Sequence, residues 1–444
     1  MGALAYAPAA ATENPARRPP NVLIIGADTL RADHLDLYGY RRPTSPNLDH
    51  WAAQAVVFEK AFSQGSYTLP SFASLFTSRY PEEHGALYWG DALAQTETTL
   101  AQVFQRAGYQ TAGFTGGPYL SPQYGFGRGF DEYVGGDLPR PMSAYAREAL
   151  KWIDRHRTKP FFLFVQPMDV HDPFDPWDIP QVERNRWDPD YRGTIENYAG
   201  SFFFFRALNG ESSKTNPPRL TPEMKKEIDD LRSDPRALRH LASMYDDRVA
   251  HFDRSLGAFF EELQRRAILN DTIIVLLSDH GTLFGEGGKF AHGVHDSTLD
   301  AIFHVALVIW VPGRTPRRVA SPVQLVDVAP TLAALAGVPR PGAFEGRDLS
   351  ALIDGREDSP PLPVFGVASA EQIESGPRRH FIRDGRWKLV LTTPRGRISL
   401  YDLTKDPDEL RDVSAAHPIE TKRLAAALAH HLQRLARDRR ASGE

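Results

Sequence analysis

Cysteine is absent from the 444 residues. Disulfides and thiolate metal ligands are therefore excluded, and either redox compartment is tolerated. An excess of one charge is lacking too: 52 Lys and Arg face 56 Asp and Glu, a net charge of −4. No basic field marks nucleic acid or an anionic membrane as a partner. No run of about 18 apolar residues occurs, so no transmembrane segment is expected. The opening MGALAYAPAAATENPARRPP is rich in Ala and Pro and lacks the basic start and long apolar core of an export signal. It reads as a disordered tail over residues 1–20. A cytoplasmic chain and an exported one whose signal has been removed both fit.

What is present describes a large α/β protein. Three short apolar runs, NVLIIGADTL from Asn21, FFLFVQPMDVHDP from Phe161 and DTIIVLLSDHG from Asp271, read as buried parallel strands. They alternate with helical stretches such as TTLAQVFQRAG and DDRVAHFDRSLGAFFEELQRRA. That alternation predicts a doubly wound, mostly parallel sheet with helices on both faces. After Gly346 the pattern changes: RHFIRDGRWKLVLTT and RISLYDLTKDPDEL read as antiparallel strands, followed by a helix in PIETKRLAAALAHHLQRLARDRR. A catalytic domain over 21–345 and a small C-terminal α+β subdomain over 346–444 are expected. The stretch 175–241, with FFFF (Phe202–Phe205) and WDPDY (Trp187–Tyr191), has little regular patterning and reads as a lid or pocket wall. A satellite hydrophobic cluster under a loop is the alternative there.

Ligands in such sheets sit beyond the carboxyl ends of the strands. All three runs end there in Asp or His: Asp28, Asp169 with His171, and Asp279 with His280. Asp28, Asp279 and His280 are donors suited to a divalent cation, with room for an oxygen ligand. GSYTLPSFASLFTSRYP (Gly65–Pro81) puts Thr68 at a turn running into a helix. A threonine hydroxyl is a poor nucleophile until a dication lowers its pKa, and the positive end of a helix dipole favours the anion. Alone, Thr68 reads as a helix N-cap; beside the cluster it reads as nucleophile and fourth metal ligand.

With those residues in view, the chain resembles the sulfatase branch of the alkaline phosphatase superfamily. ADTLRADHLDLYGYRRPTSPNLD is similar to that family's first metal strand, TLPSFASLFTSRYP to its nucleophile signature, and MDVHDPF to its His loop. LLSDHGTLFGEGGKFAHG resembles the second metal strand and LYDLTKDPDELRDV the C-terminal subdomain. The resemblance implies an alkaline-phosphatase-like three-layer sandwich. It also carries departures. Thr68 stands where sulfatases place the Cys or Ser that becomes formylglycine, Phe72 replaces the signature Arg, and Thr29 replaces the second Asp of a pair. These point toward the phosphoryl-transfer relatives, lipoteichoic-acid synthases and phosphoethanolamine transferases, which resemble this chain in using a metal-bound Thr.

By that resemblance His171 and His292 bind the substrate's charged oxygens or a second ion, while Lys289 and Arg31 neutralise the transferred group. Arg31 has the alternative of pairing with Asp33, and His295 that of replacing His292. His304 reads as structural, Arg79 as ordering the elbow helix, and His84 as a turn residue. The expected cofactor is one divalent ion, zinc favoured, with manganese or calcium open. The expected reaction is hydrolysis of small-molecule or lipid-headgroup phosphate esters through a covalent phospho-enzyme. A sulfatase working without formylglycine and a catalytically silent anion binder are the alternatives.

Overall fold

Alternation within the apolar runs decides how the molecule is layered. In the computed structural model, which describes residues 18–136, 139–171, 180, 183–193, 221–293, 297–356, 360–369 and 377–441, those runs become the centre of one eight-stranded sheet. Its strands are β1 (Asn21–Ala27), β2 (Val56–Phe58), β3 (Gln110–Thr115), β4 (Glu132–Val134), β5 (Phe161–Gln166), β6 (Thr272–Ser278), β7 (Leu307–Trp310) and β8 (Arg317–Val319). The spatial order is β8-β2-β7-β6-β1-β5-β3-β4. Every pairing is parallel except those of β7 with β6 and β2.

Leu23, Ile25 and Ala27 enter one hydrophobic core, while Val22 and Ile24 enter the other. Successive side chains of a strand point to opposite faces, so a strand apolar at every position must be covered on both. The helices supply the cover. They are α1 (Thr68–Thr77), α2 (Leu100–Arg106), α3 (Met142–Arg155), α4 (Pro222–Ser233), α5 (Pro235–Arg265), α6 (Val328–Leu335) and α7 (Pro418–Ala441). From α5, Tyr245, Val249, Phe252, Leu256, Phe259 and Leu263 follow helical spacing into the first core, which α3 shares. Helices α1, α2 and α6 fill the second. The result is the expected three-layer sandwich.

Helix α5 begins well before the expected Asp246. Asp234 accepts the amide of Arg236 at 2.8 Å and Pro235 occupies the first turn. An Asp-Pro start is a helix signal strong enough to open the element there. Together with α4, it makes residues 222–241 helical on either side of Asp234, where a patternless wall was expected. Phe202–Phe205 lie outside the described residues.

A separate four-stranded antiparallel sheet follows: β9 (Val364–Ala368), β10 (Arg378–Asp384), β11 (Trp387–Thr393) and β12 (Arg397–Asp402). Helix α7 packs Leu424 and Leu428 on its Ile382, Leu389 and Leu400. The other face joins the larger body through Phe381 and Val390 against Phe62 and Phe303. Buried Lys388 cements this junction with Asp300 at 2.8 Å and Glu409 at 2.6 Å. Val367 donates its amide to Gln64 at 3.0 Å, so β9 braces the loop that leads into α1.

Candidate active site

Strand register assembles the site. Ala27 pairs with Ser278 in parallel register, which brings the next residues, Asp28 and Asp279, side by side at the carboxyl edge. His280 follows, and all three are fully buried. Their ligand atoms lie within 4.8 Å of one another. Helix α1 delivers Thr68 to the same point. Its Oγ1 lies 3.4 Å from Asp28 Oδ2 and 3.3 Å from His280 Nε2. The residue capping α1 is Tyr67, so the Thr68 hydroxyl is not consumed as a helix cap.

Each member is held by neighbours that the motifs did not reveal. Gln166, the last residue of β5, donates Nε2 to Asp28 Oδ2 at 2.7 Å. The signal was available: a polar residue ends a buried apolar strand, and the register continues from Ile25–Val165 to set it opposite Gly26, just short of Asp28. The Oδ1 of Asp279 accepts the amides of Thr29 at 3.1 Å and His280 at 2.9 Å. Thr29 can donate because it adopts a left-handed φ of 57°, a conformation unusual for a β-branched residue. The Thr29 hydroxyl donates to the Val170 carbonyl, and the Thr29 carbonyl accepts the hydroxyl of Tyr245. Ser71, three residues after the nucleophile candidate, donates to the Asp279 carbonyl at 2.6 Å. His280 Nδ1 lies 2.9 Å from the Gly281 carbonyl; a hydrogen there leaves Nε2 as a lone-pair donor to the cluster.

The electrostatics match a cation site. Burial, reinforced by Asp279, pushes the Asp28 carboxyl up to about 6. Burial likewise raises Asp279 to about 7 and lowers His280 to about 4. Asp28 Oδ1 and Asp279 Oδ2 have no hydrogen-bond partner. Buried carboxylate oxygens left unpaired are strongly unfavourable, whereas a dication neutralises both at once. Two carboxylates, a neutral imidazole and a hydroxyl are a donor set suited to such an ion. Among the described residues the only other such group is Glu83, Glu345 and Asp438.

His171 and His292 adjoin the cluster. Their rings are 5.0 Å apart, and His292 is 4.5 Å from the His280 ring. Lys289 is half-buried at the turn that precedes Phe290; His295 lies outside the described residues. Two expectations shift. Arg31, for which neutralising substrate and pairing with Asp33 were both open, makes the pairing: it is 4% exposed and engaged by Asp33 at 2.7 Å, Glu286 at 2.6 Å and the Thr282 carbonyl at 2.9 Å. That pairing gives it a scaffold role between β1 and the loop after β6. Asp169, grouped with the strand-end donors, accepts the Met142 amide at 2.6 Å and caps α3. Phe72 lies wholly inside the second core against Phe164, 5.5 Å between centroids. Gly26 makes room for it, since a Cβ there would sit 2.8 Å from the Phe72 ring.

Residues 20–338 match the family described as Sulfatase. The chain belongs to the sulfatase family. Within this family context, residues 291–438 also match a profile described as N-sulphoglucosamine sulphohydrolase, C-terminal. An arylsulfatase of Clostridium perfringens (strain 13 / Type A) is 24% identical over 89% of this chain and 90% of its own length. Human arylsulfatase A is 26% identical, covering 88% of this chain and 83% of that one. The phosphonate monoester hydrolase of Agrobacterium radiobacter shares the fold, with a TM-score of 0.72 at 22% identity over 95% of this chain and 96% of its own. This sulfatase-family chain is thus a hydrolase by kinship, with relatives named for sulfate esters and a fold neighbour named for phosphonate esters. Among the described residues no helix is long and apolar enough to cross a membrane.

Proposed function

We propose that this protein is a metal-dependent hydrolase of phosphate-type esters that acts through Thr68. The observation that carries the reading is the Thr68 hydroxyl, 3.4 Å from Asp28 and 3.3 Å from His280, in the position of a fourth donor to the buried group. Asp28, Asp279 and His280 would hold the cation, with zinc favoured by the mixed nitrogen and oxygen donors. When bound, a dication would neutralise the two carboxylates and lower the hydroxyl pKa.

The chain's own groups supply the remaining chemistry. Thr68 Oγ1 attacks phosphorus in line, the Oγ1–P bond forms, and the bond from phosphorus to the ester oxygen breaks. The departing alkoxide takes a proton and leaves as the alcohol. Water then attacks the same phosphorus, the Oγ1–P bond breaks, and Thr68 regains its proton. His171 and His292 would bind the non-bridging oxygens and carry protons between these steps. The Ser71 and Gln166 hydrogen bonds orient Asp279 and Asp28. Phosphorus is favoured over sulfur because threonine cannot form the aldehyde hydrate through which formylglycine eliminates sulfate. The reading opposed to it, sulfate ester hydrolysis without formylglycine, is favoured by the arylsulfatase names of the relatives.

The test compares nitrophenyl phosphodiester and nitrophenyl sulfate turnover, with and without chelator, in wild type and Thr68→Ala. Chelator-sensitive phosphodiester turnover, lost at least a thousandfold in the variant, is expected. Phosphorus label retained covalently on the wild type and absent from the variant would identify the nucleophile. Faster cleavage of the sulfate would overturn the phosphoryl assignment.

A further inference from the structure

Two loops converge on the elbow that carries Thr68, and both bear aromatic rings. The first is shaped by Asp91, whose Oδ2 accepts the amides of Leu87 at 2.9 Å and Tyr88 at 2.7 Å. Its Leu87 carbonyl accepts the hydroxyl of Tyr67, the buried residue immediately before Thr68. This loop presents Trp89, which is 49% exposed; among the described residues no other Trp or Phe is exposed. The second loop begins at Gly116, whose amide donates to Gln166 Oε1 at 3.0 Å, and Gln166 in turn holds Asp28. This loop presents Tyr119.

The rings meet in sequence. Trp89 and Tyr119 are edge to face with centroids 5.0 Å apart, and Tyr119 and Tyr67 repeat the geometry at 5.6 Å. A line of aromatic rings therefore runs from the residue beside Thr68 to solvent. A single exposed apolar side chain is ordinary. An exposed indole buttressed by a ring chain that ends at Tyr67, next to the proposed nucleophile, is not explained by core packing, because half of it is outside the core. Its geometry suits a flat ring that packs on the indole face, an interaction that is both apolar and orientation-specific.

We propose that Trp89, backed by Tyr119 and Tyr67, is a stacking platform for a ring in the alcohol portion of the substrate ester. The platform rests on the reading of Thr68 as the nucleophile, since that residue fixes where the alcohol departs. A ring with an apolar face can come from an aryl alcohol or from a sugar, and both present the same surface to an indole.

The experiment measures kcat/KM for benzyl, glucose-6-yl and ethyl esters with the full-length chain and its Trp89→Ala and Trp89→Phe variants. Both phosphate and sulfate series are used. Primary alcohols throughout keep leaving-group basicity similar, so ratios to the ethyl ester report ring binding. Trp89→Ala should lower the benzyl or the glucosyl ratio about tenfold, chiefly through KM, and Trp89→Phe should restore most of it. Which of the two ratios falls identifies the ring. If neither ratio moves, the platform is refuted. The phosphoryl reading fails separately, if only the sulfate series turns over, and the ratios within that series then still decide the platform.

Discussion

Replacing Asp279 with asparagine should stabilise the metal-free protein while removing its response to metal. The carboxyl is raised from 3.8 to about 7 by burial, so ionising it inside the metal-free fold is unfavourable. About three pH units at ~1.4 kcal/mol each amount to roughly 4 kcal/mol at pH 8. The sign follows from the direction of the shift. Below about pH 4 the carboxyl is protonated in both folded and unfolded chains and the penalty vanishes; it grows as pH rises to about 7 and is constant beyond. Asparagine keeps the oxygen that accepts the Thr29 and His280 amides, and its new NH2 can donate to His280 Nε2, 3.3 Å from the present Oδ2. Allowing for relaxation, the gain is roughly 2–4 kcal/mol. At ~2 cal/mol/K per residue over this length, it corresponds to a rise of about 2–4 °C in Tm. Chelator-treated wild type and Asp279→Asn would be melted at pH 8 and toward pH 4, then again with zinc. Expected is a more stable variant at pH 8, convergence as pH falls, and a zinc-induced rise in wild type alone. A variant less stable than wild type at pH 8, or one that gains as much from zinc, would refute the account of the buried carboxylates.

Other perturbations follow from the same contacts. Gln166→Leu removes the hydrogen bond that orients Asp28 and should weaken metal affinity about 10- to 100-fold, measured by titration with a competing chelator. Metal affinity itself should fall as pH drops below about 7 and then about 6, because protons compete for the two raised carboxylates; calorimetry in buffers of different ionisation enthalpy should show proton release on binding at pH 6. Lys388→Met takes the buried cation from Glu409 and leaves Asp300 with Arg383 at 3.4 Å, and should destabilise the fold by about 3 kcal/mol, read by denaturant titration, with the C-terminal sheet losing amide-exchange protection.

The strands were legible because a strand covered on both faces has no polar positions to hide, and Val22–Ile25 and Ile273–Leu277 show that pattern directly. Their acidic ends were legible because Asp is rare after such a run unless a ligand or a cap needs it. Asp169 shows the limit: in composition it matches Asp28, but only the path of α3 reveals that it serves as a cap. Arg31 shows another, since its partner Glu286 lies 255 positions away and comes within 2.6 Å only through the approach of two loops.

Composition and local order thus decided the class of fold, the presence of a cation-binding donor set, and the elbow hydroxyl. Periodicity and residue chemistry act over a few positions, and those features need no more. The register Ala27–Ser278, the Gln166 and Ser71 hydrogen bonds and the ring line from Tyr67 to Trp89 were decided by tertiary structure alone. They are distances between residues far apart in the chain, set by how two cores pack against one sheet.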